Sequence, residues 1–320
     1  MALTVDIPIT TPSRPVMRYH GGKFRIAPWI IAHMPACRTY VEPYGGAGSI
    51  LMQKPRSPME VYNDLDDDIV NVFRVLRDVA QAAELERVLR LTPYSRTEFL
   101  AAYDNCIEQT KPNDVSVERA RRVIVKSFMS IGTDAQSRGQ QLSKPGTMDI
   151  KLPQPLISFN KSSKVKAICG MRSNYSCDRN TTPAHDWSQW PNVIPQFHAR
   201  FSRVIIECRP AIQVMKQFDK RDTLHYVDPP YVFASRSTKN LYHGYKHEMT
   251  DQQHRELAEW LHSAKGMVML SGYHSVLYDE LYANWHRIER AALADGARKR
   301  TEVLWFNKAA EERLPQPRLL

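Results

Sequence analysis

The stretch Val41-Glu42-Pro43-Tyr44-Gly45-Gly46-Ala47-Gly48-Ser49 limits what this chain can become more than any other. A short apolar run, a glycine-rich turn and the start of a helix follow one another there, the opening of a βαβ unit. Glycines let the backbone come close to a ligand, and the N-terminus of the helix beyond them favours the negative part of that ligand. A nucleotide-like cofactor is therefore expected. The dinucleotide fingerprint is not met, because Leu51 stands where a third glycine or alanine belongs after Gly46 and Gly48, and NAD is disfavoured.

Around this turn, apolar periodicity alternates between helix and strand. Residues 23–34 have helical spacing that stops at Pro35, residues 39–42 and 59–64 read as short strands, and residues 67–76 as a helix. Residues 79–131 are mostly helical, with a core-facing pattern over 117–131. Regularity fails between 132 and 195: Ser, Gly, Asn, Lys and Pro are frequent and Phe159, Tyr175, Trp187 and Trp190 are interspersed, so this stretch reads as loop-rich. Alternation then resumes with strand 204–208, helix 211–217, strand 223–227, helix 251–264, strand 267–271, helix 276–283 and two strands near 287–290 and 302–306. Thr250 and Gln253 form a capping box at the start of the 251–264 helix, and Gly266 follows its end. The expected fold is a doubly wound α/β sheet split by a long insertion, with residues 1–76 and 201–320 as the core and 77–200 as the inserted lobe.

Charge is unevenly spread. The chain carries a formal net charge of +10, and residues 111–210 hold 16 Lys and Arg against 7 Asp and Glu. Such a localised excess is the footprint expected of a surface that binds a polyanion. Five scattered cysteines (Cys37, Cys106, Cys169, Cys177, Cys208) make no CxxC pair, so neither a disulfide framework nor a metal site is expected, and a reducing cytoplasm fits. Cys169 and Cys177 near His185 read as ordinary thiols, and His243 and His247, without an HExxH context, as loop or surface histidines. No apolar run approaches the roughly 18 to 20 residues of a membrane span, and residues 1–15 lack the pattern of a signal peptide, so no membrane association is expected.

Two further places carry chemistry. Asp64 ends the second strand, where a carboxylate accepts hydrogen bonds from ribose hydroxyls; Asp67 and Asp68 read instead as acids that stabilise a helix N-terminus. The most specific signal is Asp228-Pro229-Pro230-Tyr231, directly after the apolar strand ending at Val227. Two prolines stiffen the backbone, remove two N–H donors and leave carbonyls at the strand's carboxyl end. An amino group held by Asp228 and the Pro229 carbonyl would aim its lone pair at an electrophile, and Tyr231 offers a flat face on which a base stacks.

With these residues in place, the chain resembles the Dam-type (class α, D12) DNA adenine methyltransferases, especially forms common in phages. The resemblance runs through Arg18-Tyr19-His20-Gly21-Gly22-Lys23, residues 42–49, Asn63-Asp64, Asp228-Pro229-Pro230-Tyr231, Leu270-Ser271-Gly272-Tyr273 and Thr301-Glu302-Val303-Leu304. It implies a Rossmann-like methyltransferase core, S-adenosyl-L-methionine as cofactor, and double-stranded DNA as partner. By resemblance Tyr19, Lys23, Asp64 and Asp228 contact the cofactor, and Gly21, Gly22, Glu42, Pro43, Gly46, Gly48 and Ser49 fall within its motifs. Adenine would be flipped out and methylated directly at its N6 amino group, without metal or covalent intermediate. Target recognition would lie in the inserted segment, with Lys161, Lys164, Lys166, Arg298, Lys299 and Arg300 as DNA contacts. His20 and Asp66 depart from the usual Trp-Ala-Gly-Gly-Lys and Asp-Ile-Asn. Methylation of cytosine N4, of adenine in RNA or of a protein glutamine, and a non-catalytic DNA-binding role, are the competing readings.

Overall fold

The computed structural model describes residues 12–103, 114–131, 171–173, 181–235, 245–294 and 298–315. Lys161, Lys164, Lys166, Cys169, Cys177, Phe159, Tyr175 and His243 lie outside the described residues. In chain order the first half of the fold contains helix α1 (Ala27–Ala32), strand β1 (Thr39–Glu42), helix α2 (Ser49–Gln53), strand β2 (Met59–Asn63) and helices α3 (Asp67–Arg77), α4 (Val79–Leu91), α5 (Arg96–Ala101) and α6 (Val117–Met129). Then come helices α7 (Pro183–Gln189) and α8 (Ile194–Phe201), joined by a 3-10 turn, and strand β3 (Ile205–Glu207). The second half adds α9 (Ala211–Phe218), β4 (Thr223–Val227), α10 (Asp251–Ser263), β5 (Met267–Tyr273), α11 (Val276–Leu281), β6 (His286–Ala294), β7 (Arg298–Phe306) and α12 (Lys308–Glu311).

Among the described residues seven strands form one mixed sheet in the order β3-β2-β1-β4-β5-β7-β6. Strands β1 to β5 are parallel, and β7 runs antiparallel to both β5 and β6. The chain winds outward from β1 to β2 and β3, then crosses back to β4 and β5, so the order reverses between β1 and β4. Ligands of open α/β sheets bind in the crevice beside the carboxyl ends of the strands at such a point.

Neighbouring strand residues split between the two faces, as the two-residue period of a strand requires. Tyr40, Tyr62, Tyr226 and Met269 enter one apolar cluster with residues of α3, α4, α6 and α8, while Val41, Val61, Val227 and Leu270 enter a second with α9, α10 and α11. Every residue of β1 and β4 is buried, polar Thr39, Glu42, Thr223 and His225 included, as expected of central strands covered on both faces. Helix ends follow local chemistry. The Asp66 side chain accepts from the Asp68 amide at the start of α3, and Thr250 and Gln253 close the capping box on α10.

The loop-rich reading of the stretch up to residue 195 fails over its last part. Residues 183–201 are helical, with Trp187, Trp190, Phe197 and Phe201 buried against the α3 and α4 side. Pro183, Pro191 and Pro195, which add to the loop-like composition of that stretch, occupy the first turns of helices, where proline lacks no bond that the helix needs. The two indoles donate to backbone carbonyls, Trp187 Nε1 to Thr92 O at 2.8 Å and Trp190 Nε1 to Pro15 O at 3.3 Å.

Candidate active site

The glycine turn between β1 and α2 is set by backbone conformation. Gly46 and Gly48 adopt φ of +47° and +61°, and a Cβ on Gly48 would stand 3.2 Å from Phe73. Asn63, at the end of β2, donates to the carbonyls of Pro43 and Arg209 and accepts from the Arg209 amide, joining the carboxyl ends of β1, β2 and β3. Asp64 accepts from the Gly46 amide through Oδ2 and from the Asp66 amide through Oδ1, both at 2.8 Å. Burial raises its pKa to about 6, against the pull of these backbone donors. The carboxylate placed by sequence at the rim is thus also what holds the glycine turn.

Opposite it, Asp228 leaves β4 between two donors. The Ser271 hydroxyl of β5 donates to Oδ1 at 2.7 Å, and the Lys23 ammonium lies 3.1 Å from Oδ2. Lys23 also donates to the Gly21 carbonyl and sits 4.5 Å from the centroid of the Tyr231 ring. Burial opposes the charge on Lys23, but Asp228 and Glu302 outweigh it, and its pKa lies above the ordinary lysine value. Tyr231 is buried, donates its hydroxyl to Glu302 Oε2 at 2.9 Å and meets Tyr273 edge-on. The open ring face expected of Tyr231 is therefore covered here by the Lys23 ammonium. Glu42 accepts from the Tyr40 hydroxyl and the Leu51 amide, and burial lifts its pKa to about 8.

A cleft of about 260 Å³ lies between these groups. Of the residues singled out from sequence, Tyr19, Gly21, Gly22 and Lys23 line it from the N-terminal segment, Glu42, Pro43, Gly46 and Ser49 from the glycine turn, Asp64 from β2, and Asp228 and Pro230 from the end of β4. Gly48, Pro229 and Tyr231 do not line it; Gly48 shapes the turn and Tyr231 packs behind Lys23. Arg298, Lys299 and Arg300 begin β7, paired in register with Ala294, Leu293 and Ala292 of β6. Asp67 and Asp68 stand in the first turn of α3, as expected, and pair with Arg74 and Arg119. The dipole expected from the helix after the glycine turn is small, because α2 has only five residues.

The sequence motifs include Ser271 and Glu302 without assigning them a role, and two parts of the cleft wall were not foreseen. Ser271 and Glu302 hold Asp228 and Tyr231 from β5 and β7, and the cleft wall includes residues 210–212 and 245–249. His247, read as a loop or surface histidine, belongs to that wall. Topology contains the signal for residues 245–249: a chain leaving the carboxyl end of β4 for a crossover helix must pass the crevice. The fit to a nucleoside cofactor has a specific mark. The Ser49 hydroxyl is buried on the cleft wall and has no hydrogen-bond partner among the described residues, a group that a bound polar ligand would satisfy.

A parallel sheet reversed between β1 and β4, with a glycine turn and an acid facing a DPPY tetrapeptide, defines the class of Rossmann-like methyltransferases. The family model of the D12 class N6 adenine-specific DNA methyltransferases matches residues 19–295, and the chain belongs to that family. Two DNA adenine methylases of Vibrio cholerae serotype O1, from strains ATCC 39541 and ATCC 39315, are each 32% identical to it over 71 residues. That stretch makes up 22% of this chain and 24% of either relative, so the match spans about a quarter of the length of those proteins.

Proposed function

We propose that this protein transfers a methyl group from S-adenosyl-L-methionine to the N6 amino group of an adenine flipped out of double-stranded DNA. The observation that carries the reading is Asp228, a carboxylate at the end of β4 oriented by Ser271 and Lys23 and facing the glycine turn across one cleft. When bound, the cofactor supplies an electrophilic methyl group on a sulfonium. Asp64 and Ser49 are suited to its ribose and polar groups, and Tyr19, Lys23 and Glu42 to its methionine end. Among the described residues Lys23 is the cation that faces the carboxyl groups of Asp228 and Glu302, and such a surplus of acidic groups favours a cationic ligand.

Asp228 accepts an N–H of the adenine amino group at the oxygen that Lys23 now occupies. This fixes the direction of the nitrogen lone pair and gives the departing proton an acceptor. Lys23 would swing from the Tyr231 face as the base enters, leaving that face for stacking. Ser271 and Glu302 keep the carboxylate and the phenol from turning. Target recognition falls to the inserted segment 77–200, with Lys161, Lys164, Lys166, Arg298, Lys299 and Arg300 against the DNA. Among the described residues no helix is long and apolar enough to cross a membrane.

The test is transfer of labelled methyl to duplex DNA, followed by identification of the modified base. Asp228→Ala should remain folded and lose about 100-fold or more in rate, as other preorganised groups do when removed. Near-normal turnover by that variant would exclude the mechanism, and label in N4-methylcytosine, RNA or protein would replace the substrate.

A further inference from the structure

We infer that Lys246 is a positioning residue that clasps the segment 245–249 over the cofactor cleft through Asp66 and so sets how long the cofactor stays bound. The inference rests on the reading of the cleft as an S-adenosyl-L-methionine site.

The segment is cleft wall that belongs to none of the sequence motifs. Its far end is fixed, because Thr250 caps α10 immediately after it. Its hold on the start of α3 is made by Lys246, whose Nζ lies 2.6 Å from Asp66 Oδ1 and 3.5 Å from Asp68 Oδ2. Within the segment the Tyr245 amide donates to Glu248 Oε1 at 2.6 Å, and the Tyr245 ring meets His20 edge-on at 4.9 Å. The strip from 245 to 249 therefore bridges from α10 to both the His20 turn and the start of α3.

Asp66 connects this clasp to the site. Its amide donates to Asp64 Oδ1, and the other oxygen of Asp64 holds the Gly46 amide, so Lys246 stands at the end of a short chain of bonds that leads to the glycine turn. Arg119 and Arg74 serve Asp67 and Asp68, and among the described residues Lys246 is the cation paired with Asp66. An exposed ion pair would contribute little. Here the Asp66 side chain is 5% exposed and that of Lys246 21%, which places the pair nearer the buried regime, where loss of one partner leaves the carboxylate with only the Asp68 amide and the more distant Lys126 to offset it.

The experiment follows release of S-adenosylhomocysteine by stopped flow, together with hydrogen exchange of peptides covering 245–253, for wild type, Lys246→Met, Lys246→Arg and Asp66→Asn. Lys246→Met should release the ligand roughly ten- to hundredfold faster, the range for a lost charge-assisted hydrogen bond. Lys246→Arg should restore most of the retention. Asp66→Asn keeps a good N-cap for α3 and should follow Lys246→Met, which secures the test if that variant folds poorly. Salt should change release little in wild type or in Lys246→Met, because a nearly buried pair is weakly screened, and ligand-induced protection of 245–253 should be lost with the clasp. A side chain of merely structural value would lower stability without faster release, without loss of this protection and without the rescue by Arg. Unchanged release and protection in Lys246→Met and Asp66→Asn, with wild type binding normally, would overturn the clasp alone. Failure of wild type to bind the ligand would instead overturn the reading of the cleft.

Discussion

At the carboxyl edge of the sheet, charged side chains from distant segments face a common cleft; along α6 and α8 they face one another. Lys23, Asp64 and Asp228 reach the cleft from three separate parts of the chain. By contrast Arg119 pairs with Asp67 and Asp68, Arg121 with Glu118 and Glu98, and Arg122 with Glu118. Arg200 makes a two-fold contact with Glu60, which Lys54 also reaches at 2.7 Å, and all three side chains are buried. Several charges counted in the basic middle of the chain thus hold α6 and α8 to the core rather than form a surface for phosphate. A local charge excess marks a polyanion site only after its internal partners have been subtracted.

The contrast can be broken most forcefully at Glu60. Glu60→Ala would leave the buried Lys54 and Arg200 cations without compensation and should destabilise the protein by about 3–5 kcal/mol, read by urea or thermal unfolding. A loss below about 1 kcal/mol would mean that the network is solvated and that Arg200 belongs with the surface charges.

At the cleft, Asp64→Ala should weaken S-adenosyl-L-methionine binding by roughly ten- to hundredfold in calorimetric titration, because it removes a carboxylate suited to ribose and frees the glycine turn. Asp64→Asn sharpens the reading: it keeps an acceptor for the Gly46 amide and should recover part of the loss. Equal losses in both variants would assign the effect to charge.

Next comes the part of the basic middle that carries Lys161, Lys164 and Lys166. If these three face DNA, replacing all of them with alanine should flatten the plot of log K against log salt by up to about 2.7 units, with cognate and scrambled duplexes affected alike. An unchanged slope would mean that these lysines are a solvated basic run that never meets DNA.

A further prediction concerns pH. Burial raises Glu42 to about 8, so between the ordinary carboxylate range and that value the folded protein keeps a proton that the unfolded chain has lost. The stability of the ligand-free protein should therefore fall as pH rises through this window and level off above it. Glu42→Gln, which retains an acceptor for Tyr40 and Leu51, should show a shallower decline in melting temperature from pH 5 to about 9. An identical decline would place the titration on another buried acid, such as Glu302.

Strands β1, β2 and β4, the capped helices α3 and α10 and the glycine turn were legible in the sequence because the forces that form them are local: apolar periodicity, side-chain caps and positive φ at glycine. Residues 183–201 were not, because prolines at helix starts and prolines in loops look alike until packing decides, and Trp187 and Trp190 bury their indoles only by finding carbonyls at Thr92 and Pro15. The same distinction divides the site. Asp64, Asp228 and the glycine turn could be named from sequence, since strand ends and turn residues stand in fixed relation to the chain. The pairing of Lys23 with Asp228, the support of Asp228 by Ser271 and of Tyr231 by Glu302, the covered face of Tyr231 and the Lys246 clasp on Asp66 arise between segments 43 to 208 residues apart. Such contacts exist only once the strand order is settled, because a side chain reaches just the few ångströms that sheet topology leaves between its strand end and the next.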